Sequence, residues 1–252
     1  MESIIVKWLE KPKIDKPIFI EGLPGVGNVG KLAAEHLIDE LKGVKFAEIY
    51  SKYFPPQVLV LEDGTVKLVN NELFHIPKKG KHPDLVVLVG DYQGLNPEGQ
   101  YELSDFLLNL LKPYNVQRIY TLGGYGTGRM VGKPRVLGAA TDAKLVKKME
   151  EFGVVFSRGE PGSGIVGASG LLLGLGKMAE IPSVCLMGET SGYFVDPKSA
   201  RAVLEVLTAT LDVTIEFNKL EEKAKQIDQI TSKLRDMESH VEAPKDDLGY
   251  IG

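Results

Sequence analysis

The chain has 252 residues, 43% of them hydrophobic and 25% charged, with a formal net charge of −4 at pH 7. That mix excludes wholesale disorder and can bury about 70% of the unfolded chain's surface, enough for one sizeable core or two small ones. The acidic balance argues against a general nucleic-acid binder, and the single cysteine, Cys185, excludes a disulfide framework and a multi-cysteine metal site.

The first thirteen residues carry Glu2, Lys7, Glu10 and Lys11 and so contain no apolar signal core. The longest uncharged stretch, 161–176, is shorter than the roughly 18 residues a membrane helix needs, and six of its residues are glycine. The expectation is a cytoplasmic protein with no membrane partner.

Residues 17–21 form a short apolar run ending at a glycine, which suits a buried strand. From about 28 to 41, Val29, Leu32, Ala33, His36, Leu37 and Leu41 recur at helical spacing, and Gly43 supplies a stop. Residues 44–50, 58–61 and 66–69 read as strands, the last two joined by the turn Glu62-Asp-Gly-Thr65 as a hairpin. Residues 84–90 are a nearly unbroken branched apolar run, expected where both faces of a strand are covered.

A helix is predicted over 97–111 and strands over 117–122 and 136–141. Asp142 is placed to cap a helix that runs to about 152. A strand over 153–157, a glycine-containing helix over 168–180 and a strand over 183–187 follow. Asp196-Pro197 opens a helix to about 211. The alternation predicts a three-layer α/β/α fold with a mostly parallel central sheet and one antiparallel portion at the hairpin.

The chain divides into an α/β domain over 1–215, a C-terminal helix over 216–238 and a flexible tail over 239–252. In the helix, Phe217, Leu220, Ala224, Ile227, Thr231 and Leu234 follow a 3-4 spacing, too short for an independent coiled coil. The seam packs either on its own domain or at a subunit interface.

Gly22-Leu-Pro-Gly-Val-Gly-Asn-Val-Gly-Lys31 follows a strand and opens a helix. Gly25, Gly27 and Gly30 fit a dinucleotide-binding G-x-G-x-x-G pattern, with Glu48 near the end of the next strand as the ribose-binding acid. Gly25 to Lys31 also fits the first seven positions of a P-loop, but Leu32 stands where a hydroxyl must hold Mg²⁺. Two readings stay open. The glycines permit a tight turn and close packing, or they cradle a phosphate or nucleotide with Lys31 as its cation. Two further glycine-rich stretches, 123–128 and 159–170, are placed as loops after strands. Arg129, Lys133 and Arg135 lie beside the first as loop charges or anion contacts.

Catalytic constellations are not found. His36, His75, His82 and His240 have no metal-ligand spacing, Ser163 and Ser169 complete no nucleophile elbow, and Cys185 falls inside a strand. No catalytic residue, metal or cofactor is assigned.

Four stretches together resemble the proteasome-assembly-chaperone family in its archaeal form: Gly22-Leu-Pro-Gly-Val-Gly-Asn-Val-Gly30, Gly123-Gly-Tyr-Gly-Thr-Gly128, Gly164-Ile-Val-Gly-Ala-Ser-Gly-Leu-Leu-Leu173 and Gly188-Glu-Thr-Ser-Gly-Tyr-Phe-Val-Asp-Pro197. The resemblance runs from about Pro17 to Asp228. It implies an α/β/α fold akin to nucleoside phosphorylases, no established catalytic residues, self-assembly or pairing with a paralogue, and 20S proteasome α-subunits as partners. It also implies a docking tail, in which a penultimate tyrosine packs beside a terminal carboxylate that pairs with a lysine between α-subunits. Here Leu248, Tyr250, Ile251 and Gly252 are the candidate contacts. Tyr250 stands third from the end, with Gly249 before it.

Overall fold

The computed structural model describes residues 2–80, 82–156, 164–227 and 229. Ten strands and five helices are assigned among them: β1 (Ile4–Trp8), β2 (Ile18–Glu21), α1 (Val29–Leu41), β3 (Val44–Ser51), β4 (Val58–Val60), β5 (Val66–Leu68), β6 (Asn71–Ile76), β7 (Leu85–Gly90), α2 (Pro97–Leu111), β8 (Arg118–Gly126), β9 (Val136–Ala140), α3 (Ala143–Glu150), α4 (Ala168–Met178), β10 (Ser183–Thr190) and α5 (Pro197–Leu211). A further helical segment, 218–227, begins the C-terminal helix.

Eight strands form one sheet in the order β1-β3-β6-β7-β2-β8-β10-β9. Its centre, β7-β2-β8-β10, is parallel, while β1, β3 and β6 on one side and β9 on the other run antiparallel. The antiparallel portion is therefore larger than the hairpin alone predicts. The hairpin β4–β5 forms a separate two-stranded sheet.

Side chains alternate across the central strands. Ile20, Leu85, Val87, Val89, Tyr120, Leu122, Val184 and Leu186 face α1 and α5. Phe19, Val86, Leu88 and Ile119 face α2 and α4. Every residue of β7 is buried, as its unbroken branched sequence requires.

Several expectations change in the structure. The strands β1 and β6 have no counterpart in the predicted elements, because each gains its conformation from pairing with β3. Gly123 to Gly126, expected in a loop, belong to β8, where they pair in register with Met187 to Thr190 of β10. Of the strand expected over 153–157, the described residues 153–156 are not assigned to a strand. Only Val155 bridges to Leu137, through Gly138 N–H to the Val155 carbonyl at 2.9 Å and Val155 N–H to the Val136 carbonyl at 2.8 Å.

Helix ends follow local chemistry. Asp142 caps α3 by accepting from the Lys144 and Leu145 amides, and Asp196 caps α5 by accepting from the Ser199 amide. At the end of α1 the left-handed position is taken by Lys42, at φ +56°, rather than by Gly43. An exposed lysine in that region carries a steric cost of about 1–2 kcal/mol. Lys42→Gly relieves it, less the extra chain entropy of glycine, and should raise the unfolding free energy by about 0.5–1 kcal/mol in a urea titration. A loss of stability would contradict this account.

Candidate functional site at the carboxyl ends of the parallel strands

All four parallel strands end on the same side, and their following loops meet there. The loop after β2 enters α1 through a short 3₁₀ turn over Val26–Asn28. It sits directly on the neighbouring strands. A Cβ at Gly30 would fall 2.0 Å from the Leu122 carbonyl oxygen of β8, and one at Gly124 would fall 2.2 Å from the Val26 carbonyl. Gly27, at φ +61°, faces the Thr190 hydroxyl, and its carbonyl accepts from the Asp196 amide at 2.9 Å. Gly25 is exposed, with extended backbone. The Lys31 ammonium lies 3.7 Å from Glu35 one turn along α1. These contacts supply a packing reason for Gly27 and Gly30.

The dinucleotide pattern does not extend to its acidic partner. Glu48 is on β3, which is antiparallel to its neighbours and separated from β2 by β6 and β7. A ribose-binding acid belongs on a parallel strand beside the first. Glu48 instead receives Lys7 at 3.1 Å, Lys45 at 3.0 Å and the Tyr50 hydroxyl at 2.9 Å. Burial pushes its carboxyl up, but these three hydrogen bonds outweigh burial and hold it down at about 2.

Beneath the loops lies a buried polar tie. Glu21, with no exposed surface, accepts from the Leu23 amide at 2.9 Å and from the Ser169 hydroxyl at 2.8 Å. Burial raises its pKa to about 7 against those two hydrogen bonds. Gln93 completes the bracing. Its amide donates to the Pro24 carbonyl at 2.7 Å, and its oxygen accepts from the Ala168 amide at 2.9 Å, satisfying one free donor at the start of α4. Ser169 is thus part of a structural tie. Cys185 is likewise buried, its thiol pushed up to about 12 by desolvation.

Arg135, read from sequence as a loop charge or an anion contact, is gripped by Glu189. The guanidinium Nε lies 2.9 Å from Glu189 Oε2, its other arm bonds Oε1, and the Arg135 amide also donates to Oε2 at 3.2 Å. These bonds, chiefly the side-chain ones, hold the Glu189 carboxyl below its ordinary range.

With the loops packed together, large apolar side chains are displaced outward. Val26, Met130, Tyr193, Phe194 and Val195 are all exposed, Tyr193 to 72%. A run of three large apolar residues in a loop, Tyr193-Phe-Val195, lies outside the buried clusters and is a candidate contact surface. The sequence displayed it, but helix and strand periodicity do not score such a run.

The C-terminal helix leads to the same end. The His36 Nε2–H donates to the Glu216 carbonyl, 2.6 Å away, and the ring stacks against Phe217; Leu220 is buried on the core. Arg201 lies over Phe217 at 5.3 Å and pairs with Glu221. Ala224 and Ile227 then border a shallow depression with Met130, Phe194 and Val195. The seam therefore packs on its own domain as far as it is described. Leu248, Tyr250, Ile251 and Gly252 lie outside the described residues, as do Thr231 and Leu234 of the seam.

Among the described residues no three His, Cys, Asp or Glu side chains are grouped to hold a metal ion, and no helix is long and apolar enough to cross a membrane.

Comparison with known proteins places this architecture. The profile of the PAC2 family matches residues 19–235, and the chain belongs to that family. The structure is similar to that of Pyrococcus furiosus PbaB, an archaeal proteasome activator, with a TM-score of 0.89 and 40% identity over 93% of this chain and 100% of that one. It is also similar to P. furiosus PbaA, an archaeal homolog of proteasome-assembly chaperone, with a TM-score of 0.77 and 28% identity over 95% and 94% of the two chains. The uncharacterized protein MJ1210 of Methanocaldococcus jannaschii is 40% identical over 95% of this chain and 93% of its own length. The resemblance drawn from the four glycine-containing stretches is borne out, as is the α/β fold.

Two outcomes test the site's construction. Gly30→Ala should cost about 3 kcal/mol or more, because its Cβ has no room against the β8 backbone, whereas Gly25→Ala, whose Cβ meets nothing closer than 3.9 Å, should cost well under 1 kcal/mol. Chemical denaturation of both variants checks this.

Glu21 adds a pH dependence. Its folded pKa lies above the unfolded value of 4.5, so its contribution to stability is full below 4.5 and is lost as pH rises through about 7. Between pH 4.5 and 7 the parent should lose on the order of 3 kcal/mol relative to Glu21→Gln, which does not titrate. Parallel slopes of stability against pH for the two proteins would refute the assignment.

Proposed function

We propose that this chain is a non-enzymatic, homo-oligomeric proteasome assembly chaperone or activator-like protein of the cytoplasm. It binds 20S proteasome α-subunits partly through its C-terminal tail. The observation that carries the reading is the near-complete match to an archaeal proteasome activator at 40% identity. That identity exceeds the 28% to the assembly-chaperone homolog and weighs the reading towards activation.

The surface supports the same reading. The apolar Val26–Met130–Tyr193–Val195 patch and the described end of the C-terminal helix share one end of the molecule. The sequence continues past that helix to the proposed docking residues Leu248, Tyr250, Ile251 and the Gly252 carboxylate. An aromatic ring supplies buried area, and a carboxylate a charge-assisted bond, in a pocket between subunits. One tail binds weakly because ordering it costs entropy, and several copies on an oligomer facing a symmetric ring gain by avidity.

A second reading, pairing with a paralogue, is favoured by the similarity of this chain to two members each from P. furiosus and M. jannaschii. A third assigns a phosphate or nucleotide to Gly25, Gly27, Gly30 and Lys31. The packing of Gly27 and Gly30 described above weighs against it.

Deleting 248–252, or making Tyr250→Ala, should weaken binding to assembled 20S particles at least ~10-fold while leaving the fold and the number of copies unchanged. Surface plasmon resonance on immobilised 20S, with the C-terminus untagged, reads this directly. Unchanged binding by both variants removes the tail as the docking element. A parent that ignores 20S but captures a paralogue selects the second reading. ATP stabilisation that Lys31→Ala abolishes selects the third.

A further inference from the structure

The two edges of the main sheet are treated differently. The β9 edge is covered by residues 154–156, through the two Val155 backbone bonds. Among the described residues nothing pairs with the outer edge of β1. Its inner side is used by alternate residues. The Lys52 amide donates to the Ser3 carbonyl, and the Leu9 amide to the Phe46 carbonyl. With the register Ile4↔Ser51 to Trp8↔Ala47, the odd-numbered residues bond β3, and Ile4, Val6 and Trp8 turn their N–H and C=O groups outward.

This edge is lightly guarded. Edge strands are protected by a free lysine, a proline or a bulge. The strand Ile4-Ile-Val-Lys-Trp8 has no proline and one lysine, whose ammonium is drawn inward to Glu48 at 3.1 Å.

We propose that β1 pairs antiparallel with β1 of a second copy of this chain about a two-fold axis at Val6, joining two eight-stranded sheets edge to edge. The inference deepens the homo-oligomeric part of the reading above and rests on it.

The strand is self-complementary in this register and overlaps over its whole length. Ile4 faces the partner's Trp8 and Val6 faces the partner's Val6, with two backbone hydrogen bonds for each facing pair. The Ile4–Trp8 match is an aromatic–β-branched cross-strand pair. On the other face, Lys7 stands opposite the partner's Ile5, so within Ile4–Trp8 no like charges face each other directly.

A strand pair alone falls short of the ~800 Å² per partner of a stable interface. The hairpin supplies further area. Leu59 shares the small core around Phe54, Val69 and Leu103 with Ile4, which sets the hairpin at the Ile4 end of β1 on the α2 side. Val58 opposite Leu68, and Val60 opposite Val66, lie on one hairpin face, and all four are exposed. The two-fold brings the Ile4 end of one copy to the Trp8–Leu9 end of the other. Trp8 and Leu9 are exposed there, and Trp8 stacks on Phe46 on the same side of the sheet.

The test compares the full chain with Ile5→Lys, Ile5→Glu and Val6→Pro by light scattering after gel filtration, with circular dichroism to confirm folding. Ile5→Lys sets two lysines opposite each other, and Val6→Pro removes an outward N–H that the monomer does not use. Each should raise the subunit dissociation constant at least ~10-fold and halve the particle mass at low micromolar concentration. Ile5→Glu faces the partner's Lys7 and should keep the parent's mass.

Parent mass in all folded variants overturns this interface and leaves homo-oligomerisation standing. Equal dissociation by Ile5→Glu and Ile5→Lys overturns the register. A monomeric parent overturns the inference together with the homo-oligomeric reading. Loss of 20S binding by Val6→Pro without a change in mass assigns the edge to a foreign strand and also overturns it. If Val6→Pro does not fold, the two Ile5 variants decide.

Discussion

Helix α1 lies backbone against backbone on β8, and that contact governs the functional end of the molecule. At Gly30 nothing larger than hydrogen fits beneath the helix, because the Leu122 carbonyl is in the way. The same closeness recurs where Gly124 meets the Val26 carbonyl. A helix set this close leaves little volume between the loop after β2 and the ends of β8 and β10. The contact narrows the place beside that loop where many open α/β sheets hold a ligand.

Polar ties then fix the loops that the close packing brings together. Glu21 joins the turn after β2 to α4, Gln93 joins the loops after β2 and β7 to the same helix, and Asp196 joins the glycine loop to α5. Glu189 holds Arg135 at the entry to β9. Buried polar groups satisfied in this way specify one arrangement of loops. The large apolar residues that do not fit are presented outward as Val26, Met130 and the Tyr193–Val195 run. An exposed apolar surface over satisfied polar ties is of the kind that proteins present to one another.

The C-terminal segment connects this surface to the rest of the fold. Phe217 and Leu220 anchor it on α1 and α5, with Arg201 bridging by ring contact and ion pair. Ile227 then arrives beside Met130 and Phe194. Charge plays its part at the far edge of the sheet, where Lys7, Lys45 and Tyr50 converge on Glu48, which pairs with the only charge on β1.

Elements whose cause is local were legible in the sequence. Asp142 and Asp196 cap their helices because a short carboxylate reaches the free amides wherever the chain turns. The branched run before Gly90 becomes a strand buried on both faces. The four glycine-containing stretches carried the family. What depends on partners distant in sequence emerges only in the folded chain. Strands β1 and β6 exist through pairing with β3, and Gly123 to Gly126 extend β8 because β10 lies alongside. Gly25-x-Gly-x-x-Gly30 matches a nucleotide loop letter for letter. What surrounds such a loop is set by the order of the strands, and here β3 lies across β6 and β7 from β2, which takes Glu48 away from it. A short pattern records which residues can turn tightly, whereas the space left beside them follows from how the whole sheet is threaded.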